Sequence, residues 1–329
     1  MGRQAAPKAD TRSAQHAGTQ LSTHTVTGKE HWTHKKTDSG DVRLFLWEKF
    51  VGSPEGKPAV LFVHGSSMAS EPTFDLTVRG RPDSSVMDWF AQRGFTCWCV
   101  DMEGYGRSDK TRDVTCDIAN GADDLKAATD YIARTRGIKS LLTYGISSGA
   151  LRAALFAQRH PERVARLALD AFVWTGDGSP TLEQRRKKLP EFMKSKRRPI
   201  DRAFVRSIFE RDHPDCADSA TVEAFATAIL ALDSSMPNGT YIDMCSKLPV
   251  VDPLKITTPT LVMRGQFDGI AGMGDLLAFF DKLPNPDKQF TVMSGISHAS
   301  FQQKNHLLAY HVLHGFFTHP PLPYRAPSH

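Results

Sequence analysis

The chain has 329 residues, 40% of them hydrophobic and 23% charged, which is ordinary globular usage and enough for about two domain-equivalents of roughly 150 residues. That excludes a disulfide-stapled miniature fold and wholesale disorder, and no apolar run approaches the ~18 residues of a membrane-spanning helix. The net charge of +5, from 41 basic and 36 acidic residues, is too slight an excess to imply a nucleic-acid partner. Residues 1–29 hold a single acid, Asp10, and lack the apolar stretch of a secretory signal, although Arg3, Lys8 and Arg12 leave an organelle transit peptide open. A loose N-terminal tail, a cytoplasmic location and no membrane association are expected.

Order is expected from about residue 30. Alternating stretches at Glu30–Lys36 and Val42–Phe50 suit an antiparallel pair. The pattern then changes to continuous apolar runs at Ala59–Val63, Phe95–Val100, Ser140–Tyr144, Arg166–Leu169, Thr260–Met263 and Gln289–Met293, as in strands buried on both faces of a parallel sheet. Cys97 and Cys99 fall on the second of these runs as C-x-C, not the C-x-x-C of a redox or zinc site, so buried reduced thiols are expected for the five cysteines. Helical spacing separates the runs at Ser85–Arg93, Ile118–Arg136, Ala150–Arg159, Asp275–Leu283 and Lys304–Phe317. The alternation predicts an α/β fold, a mostly parallel central sheet with helices on both faces. It is interrupted once, over residues 176–253, where Pro and Gly separate short helical patterns such as Ile200–Glu210 and Thr221–Leu232. An inserted helical cap is expected there, with the core formed by residues 30–175 and 254–329. The cap opens on a basic run, Arg185-Arg186-Lys187-Lys188, then Lys194, Lys196, Arg197 and Arg198. This is either a solvated face or a means of attracting an anionic substrate.

Gly145-Ile-Ser-Ser-Gly149 matches G-x-S-x-G, a pattern short enough to arise by chance, but a strand-like segment precedes it and a helical one follows. In that setting a tight turn lifts the Ser147 hydroxyl above the sheet edge, and Ser147 is the candidate nucleophile. A serine hydroxyl needs a base within hydrogen-bond reach and that base needs an orienting acid. Asp268 lies just beyond the Thr260 run and His298 just beyond the Gln289 run, both where ligands bind at the carboxyl edge of such sheets. Asp170 is the rival acid, and His64, His160, His306, His311 and His314 are the competing histidines. Of these, His64 reads better as a brace for the loop it begins, and His306, His311 and His314 as members of a terminal helix.

These motifs, with Val63-His-Gly-Ser-Ser67 and Asp101-Met-Glu-Gly-Tyr-Gly-Arg-Ser-Asp109, make the sequence resemble the α/β-hydrolase superfamily from Trp32 to Phe317, with a cap after the sixth strand. The resemblance implies an oxyanion hole from the backbone amides of Ser66 and Ser148. Glu103 departs from the family pattern, which commonly has a small or apolar residue there, and places a carboxylate near the pocket or ties down a loop. Ser67, Phe172, Trp174 and Met236 are candidate substrate contacts, with turn capping or core packing as the alternatives. The expected activity is a serine hydrolase cleaving a carboxylic ester, lactone or thioester of a small to medium substrate, with no cofactor or metal. Carbon–carbon bond hydrolysis of a diketone or ring-fission product is the alternative within enzymes, and a receptor-like ligand-binding protein the alternative outside them. A serine at position 147 argues against haloalkane dehalogenase and epoxide hydrolase readings, whose resemblance would require aspartate. The substrate is small and possibly anionic, and homo-oligomerisation stays open.

Overall fold

A computed structural model describes residues 25–320; of the expected tail at 1–29, residues 1–24 lie outside the described residues, as do 321–329. The core alternates β1 (Val26–Thr37), β2 (Gly40–Val51), β3 (Ala59–Val63), α1 (Ser70–Phe74), α2 (Val86–Ala91), β4 (Thr96–Val100), α3 (Ile118–Arg136), β5 (Leu141–Ile146), α4 (Ser148–Arg159) and β6 (Val164–Asp170). The interrupting segment holds α5 (Pro180–Arg186), α6 (Leu189–Met193), β7 (Arg197–Pro199), α7 (Arg202–Glu210), α8 (Ser219–Leu232), β8 (Ser235–Pro237) and α9 (Gly239–Ser246). The core resumes with β9 (Thr260–Gly265), α10 (Met273–Lys282), β10 (Lys288–Met293) and α11 (His306–Phe317).

Eight strands form one sheet in the order β1-β2-β4-β3-β5-β6-β9-β10. The β1–β2 and β2–β4 pairings are antiparallel and the other five parallel. Every side chain of β3, β4 and β5 is buried, which is why those runs carry no alternation: helices cover both faces. The edge hairpin alternates only from the middle of β1, where His31, Thr33 and Lys35 point inward. Their polarity is answered locally. His31 lies between Glu48 Oε2, at 2.8 Å, and the Tyr131 hydroxyl, at 2.9 Å, and Lys35 Nζ donates to Glu103 at 2.9 Å and meets Asp124 at 2.6 Å. Glu103 also accepts two hydrogen bonds from Arg112, at 2.6 and 2.8 Å. The departing Glu103 therefore ties the loop after β4 to β1 and takes no part in the site.

The hairpin starts at Val26, four residues before the expected boundary, because Thr27 to Lys29 pair with Phe50 to Glu48 although their side chains carry no apolar signal. The second difference lies in the interrupting segment, where β7 and β8 form an antiparallel ribbon. Each is three residues long and contains a proline, too short for any periodicity to register. All five cysteines are buried and free, and burial raises the Cys97 and Cys99 thiols well above their ordinary range. Among the described residues no helix is long and apolar enough to cross a membrane.

Candidate active site

The turn from β5 into α4 is set by two close approaches. A Cβ on Gly145 would sit 2.5 Å from the Gly149 carbonyl oxygen, and one on Gly149 would sit 2.3 Å from that of Val63 and 2.5 Å from that of His64. Any side chain there would push strand, helix and the loop after β3 apart. Between them Ser147 has φ 58° and ψ −126°, a region costing a non-glycine residue about 1–3 kcal/mol. The Ser147 amide holds the conformation by donating to the Asp170 carbonyl at 2.9 Å.

The strained turn directs Ser147 Oγ at His298, whose Nε2 is 3.0 Å away, while His298 Nδ1 lies 2.9 Å from Asp268 Oδ1. Asp268 comes from the loop after β9 and His298 from the loop after β10, and the neighbouring register of those parallel strands brings both loops to one sheet edge. All three side chains are buried, Ser147 at 5% exposure and His298 at 3%. Burial on its own would raise the Asp268 carboxyl, yet His298, the Ile270 amide at 3.0 Å and nearby Arg211 hold it below the usual range. An ionised Asp268 fixes the tautomer with Nδ1 protonated and leaves Nε2 free to accept the serine proton.

The rival acid has other partners. Asp170 Oδ2 accepts from the Tyr144 hydroxyl at 2.6 Å, and burial, helped by Asp268 nearby, pushes its carboxyl up to about 7. His64 is buried and accounted for by the backbone: Nδ1 donates to the Gly65 carbonyl at 2.8 Å and Nε2 accepts from the Met102 amide at 3.0 Å. Burial and the Arg152 charge depress it to about 3, so it is a neutral brace between the loops after β3 and β4. The braced loop passes beside Ser147, since a Cβ on Gly65 would lie 3.3 Å from Ser147 Cβ. Ser66 follows it, and Ser148 opens α4, where an amide has no partner further back in the helix.

The remaining candidates have the following partners. Phe172 is fully buried against Phe279 of α10, with ring centroids 4.6 Å apart, and Trp174 packs on the same ring while its Nε1 donates to the Val251 carbonyl at 3.2 Å. Met236 is buried in β8, opposite Arg198 in the ribbon. Ser67 turns toward the interrupting segment, its Oγ 3.1 Å from the Tyr241 hydroxyl and 3.1 Å from Arg198 Nη2. Sequence reasoning missed Tyr241 altogether, because one aromatic in a short helix carries no chemical pattern. It also missed Asp212, which with Asp268 and His298 offers ligand atoms within 4.8 Å of one another. Both ring nitrogens of His298 already serve Asp268 and Ser147, so a metal ion there would have to break the relay.

Fold and geometry together define an α/β-hydrolase. The family model described as serine aminopeptidase S33 matches residues 54–305, and the chain belongs to that family. Proline iminopeptidase of Neisseria meningitidis is 27% identical over 192 residues, which are 55% of this chain and 57% of that protein. A 2-hydroxy-6-oxononadienedioate/2-hydroxy-6-oxononatrienedioate hydrolase of Paraburkholderia phymatum is 28% identical over 160 residues, 48% of this chain and 50% of that protein. The chain thus spans about half the length of these relatives. Among solved structures, an esterase from Thermogutta terrifontis superposes with a TM-score of 0.64 at 19% identity, covering 88% of this chain and 98% of that one. The 2-hydroxy-6-oxo-6-phenylhexa-2,4-dienoate hydrolase of Rhodococcus sp. strain RHA1 gives 0.62 at 15%, covering 89% and 100%.

Proposed function

We propose that the chain is a serine hydrolase of carboxylic esters that works through an acyl-enzyme on Ser147, with residues 176–253 acting as a cap. The observation that carries the reading is the continuous relay from Ser147 Oγ to His298 Nε2 and from His298 Nδ1 to Asp268, at 3.0 and 2.9 Å. His298 removes the hydroxyl proton as Oγ bonds to the substrate carbonyl carbon, and the carbonyl electron pair moves to oxygen. The amides of Ser66 and Ser148 hold that oxyanion, a donor of this kind contributing about 2.7–4 kcal/mol. Collapse expels the alkoxide, which takes the proton from His298. Water, deprotonated by the same imidazole, then releases the acid and regenerates the hydroxyl.

An ester is favoured over a peptide with a free amino terminus because guanidinium groups outnumber carboxylates in the cleft at Asp268. Arg185, Arg211 and Arg264 line a cleft of about 620 Å³ together with Asp212 and Asp268, three cations against two carboxylates, a balance that favours a substrate carboxylate over an ammonium group. The same cations favour, as a second reading, carbon–carbon hydrolysis of an acidic diketone. A serine-directed fluorophosphonate is expected to label the wild type and not Ser147→Ala. Turnover of short p-nitrophenyl esters is expected to fall by up to about 10⁶ in kcat for Ser147→Ala or His298→Ala. Equal labelling of both proteins would remove Ser147 from the mechanism, and ligand binding without turnover of any ester, lactone, thioester or diketone would favour a receptor.

A further inference from the structure

The basic run at the start of the cap divides in two. Arg186, Lys187, Lys188, Lys194 and Lys196 are exposed, whereas Arg185, Arg197 and Arg198 turn inward, Arg197 onto the Gly104 and Ser235 carbonyls; the other two converge. Their guanidinium carbons lie 4.3 and 3.7 Å from the centroid of the Tyr241 ring, so the two cations bracket one buried phenol. Tyr241 in turn bonds Ser67, and Arg198 Nη2 donates to the Ser66 carbonyl at 2.9 Å and to Ser67 Oγ at 3.1 Å. The cluster therefore touches the loop that passes Ser147, two residues along from Gly65, where that loop lies against the Ser147 side chain.

What the cluster lacks is negative charge. Arg81, Arg107, Arg112, Arg136 and Arg166 each hold a carboxylate within 4.0 Å; among the described residues Arg185 and Arg198 have none, and although Arg152, Arg197 and Arg264 share that lack, only Arg185 and Arg198 converge on one ring. Arg198 is met only by neutral oxygens, of Ser66, Ser67, Pro237 and Asn238. Arg185 Nη1 and Arg198 Nε are buried without any hydrogen-bond partner. Asp212, the nearby acid, accepts from Thr181 and Arg211 through Oδ1, at 3.1 and 3.4 Å, while its Oδ2 is buried without a partner and does not reach either cation. Burial would raise the Tyr241 phenol, but Arg185 and Arg198 bring it down to about 7, the response of a buried acid to an uncompensated positive field. Desolvated cations with free N–H groups are costly unless an anion completes them.

We propose that Arg185 and Arg198, with Tyr241 and Ser67, form a carboxylate-binding subsite beside Ser147, so that the substrate is an ester carrying a free carboxylate, of the kind a dicarboxylic half-ester presents. The proposal rests on the ester-hydrolase reading for its chemistry but not for its binding. It is tested on two readouts. In a pH-stat, monoethyl glutarate is compared with diethyl glutarate, and wild type is expected to favour the half-ester in kcat/KM. Arg185→Gln is expected to lower that preference at least about tenfold, the scale of one charge-assisted hydrogen bond. Arg185→Lys should restore part of it, and Lys188→Gln, on the exposed part of the run, should change it less than about twofold. Arg185 is the better probe because Arg198 also supports the Ser66 loop.

The second readout is calorimetric binding of glutarate to Ser147→Ala, whose Kd is expected to rise at least about tenfold when Arg185→Gln is added. No preference for the half-ester, equal effects of Arg185→Gln and Lys188→Gln, or a preference for proline p-nitroanilide would overturn the proposal. Glutarate binding that depends on Arg185 in a protein that neither turns over esters nor takes the fluorophosphonate would sink the hydrolase reading and leave the subsite standing.

Discussion

Gly149→Ala tests whether the nucleophile turn and the loop after β3 are packed as one unit. The new Cβ would meet the carbonyl oxygens of Val63 and His64 at 2.3 and 2.5 Å, and an ordinary contact needs about 1 Å more separation. Neither neighbour is a flexible side chain, since both are backbone oxygens, one on the last residue of β3 and one on the first of the loop after it, so α4 or the loop must move. Overpacking of this kind costs about 1–3 kcal/mol. Because the displaced segment leads into Ser66, a shift near 1 Å is expected to lower kcat by about 10² as well. Urea unfolding gives the first quantity and ester turnover the second. Gly274→Ala is the internal control: its Cβ would meet nothing within 4 Å on the exposed face of α10, and it should stabilise by about 0.5–1 kcal/mol. If Gly149→Ala unfolds at the wild-type urea concentration with undiminished kcat, the turn is not packed as described and the strain argument for Ser147 goes with it.

Asp268→Asn is expected to lower kcat by on the order of 10³ to 10⁴ by releasing the imidazole tautomer, whereas Asp170→Asn should leave kcat within about tenfold; the reverse ranking would make Asp170 the orienting acid. Asp170 should also report on pH. Its carboxyl is raised in the fold to about 7, so its favourable contribution is complete below the unfolded value near 3.9 and is lost as pH rises to about 7, at up to about 1.4 kcal/mol per unit. The stability of Asp170→Asn relative to wild type should therefore improve between pH 5 and 7.5 in urea titrations, and an unchanged difference would show that Asp170 is ionised throughout. Lys35→Met leaves Glu103 to Arg112 and strips Asp124 of its only ion-pair partner among the described residues. A loss of about 3–5 kcal/mol in unfolding free energy is expected, and a change below about 1 kcal/mol would mean the network adds nothing.

Much of this protein was legible from residue order alone. Six of the eight sheet strands could be read from continuous apolar runs and the edge hairpin from its alternation, and helix α3 could be read to the residue because Asp117 caps one end and a left-handed Gly137 stops the other. Ser147, Asp268 and His298 could be read because each follows a strand at its carboxyl end, so local pattern already specified which edge they share. Position along the chain says nothing about which way a side chain turns within a polar segment. Arg185 and Lys188 stand three apart in one basic run, yet one is drawn in against Tyr241 and the other faces water. Glu103 and His64 likewise acquire their roles from partners dozens of residues away, Lys35 on the edge strand and Met102 beyond β4. The ordering of elements follows from short-range periodicity and turn chemistry. The choice between solvated charge, buried brace and ligand-facing cation depends on what long-range packing places opposite each group.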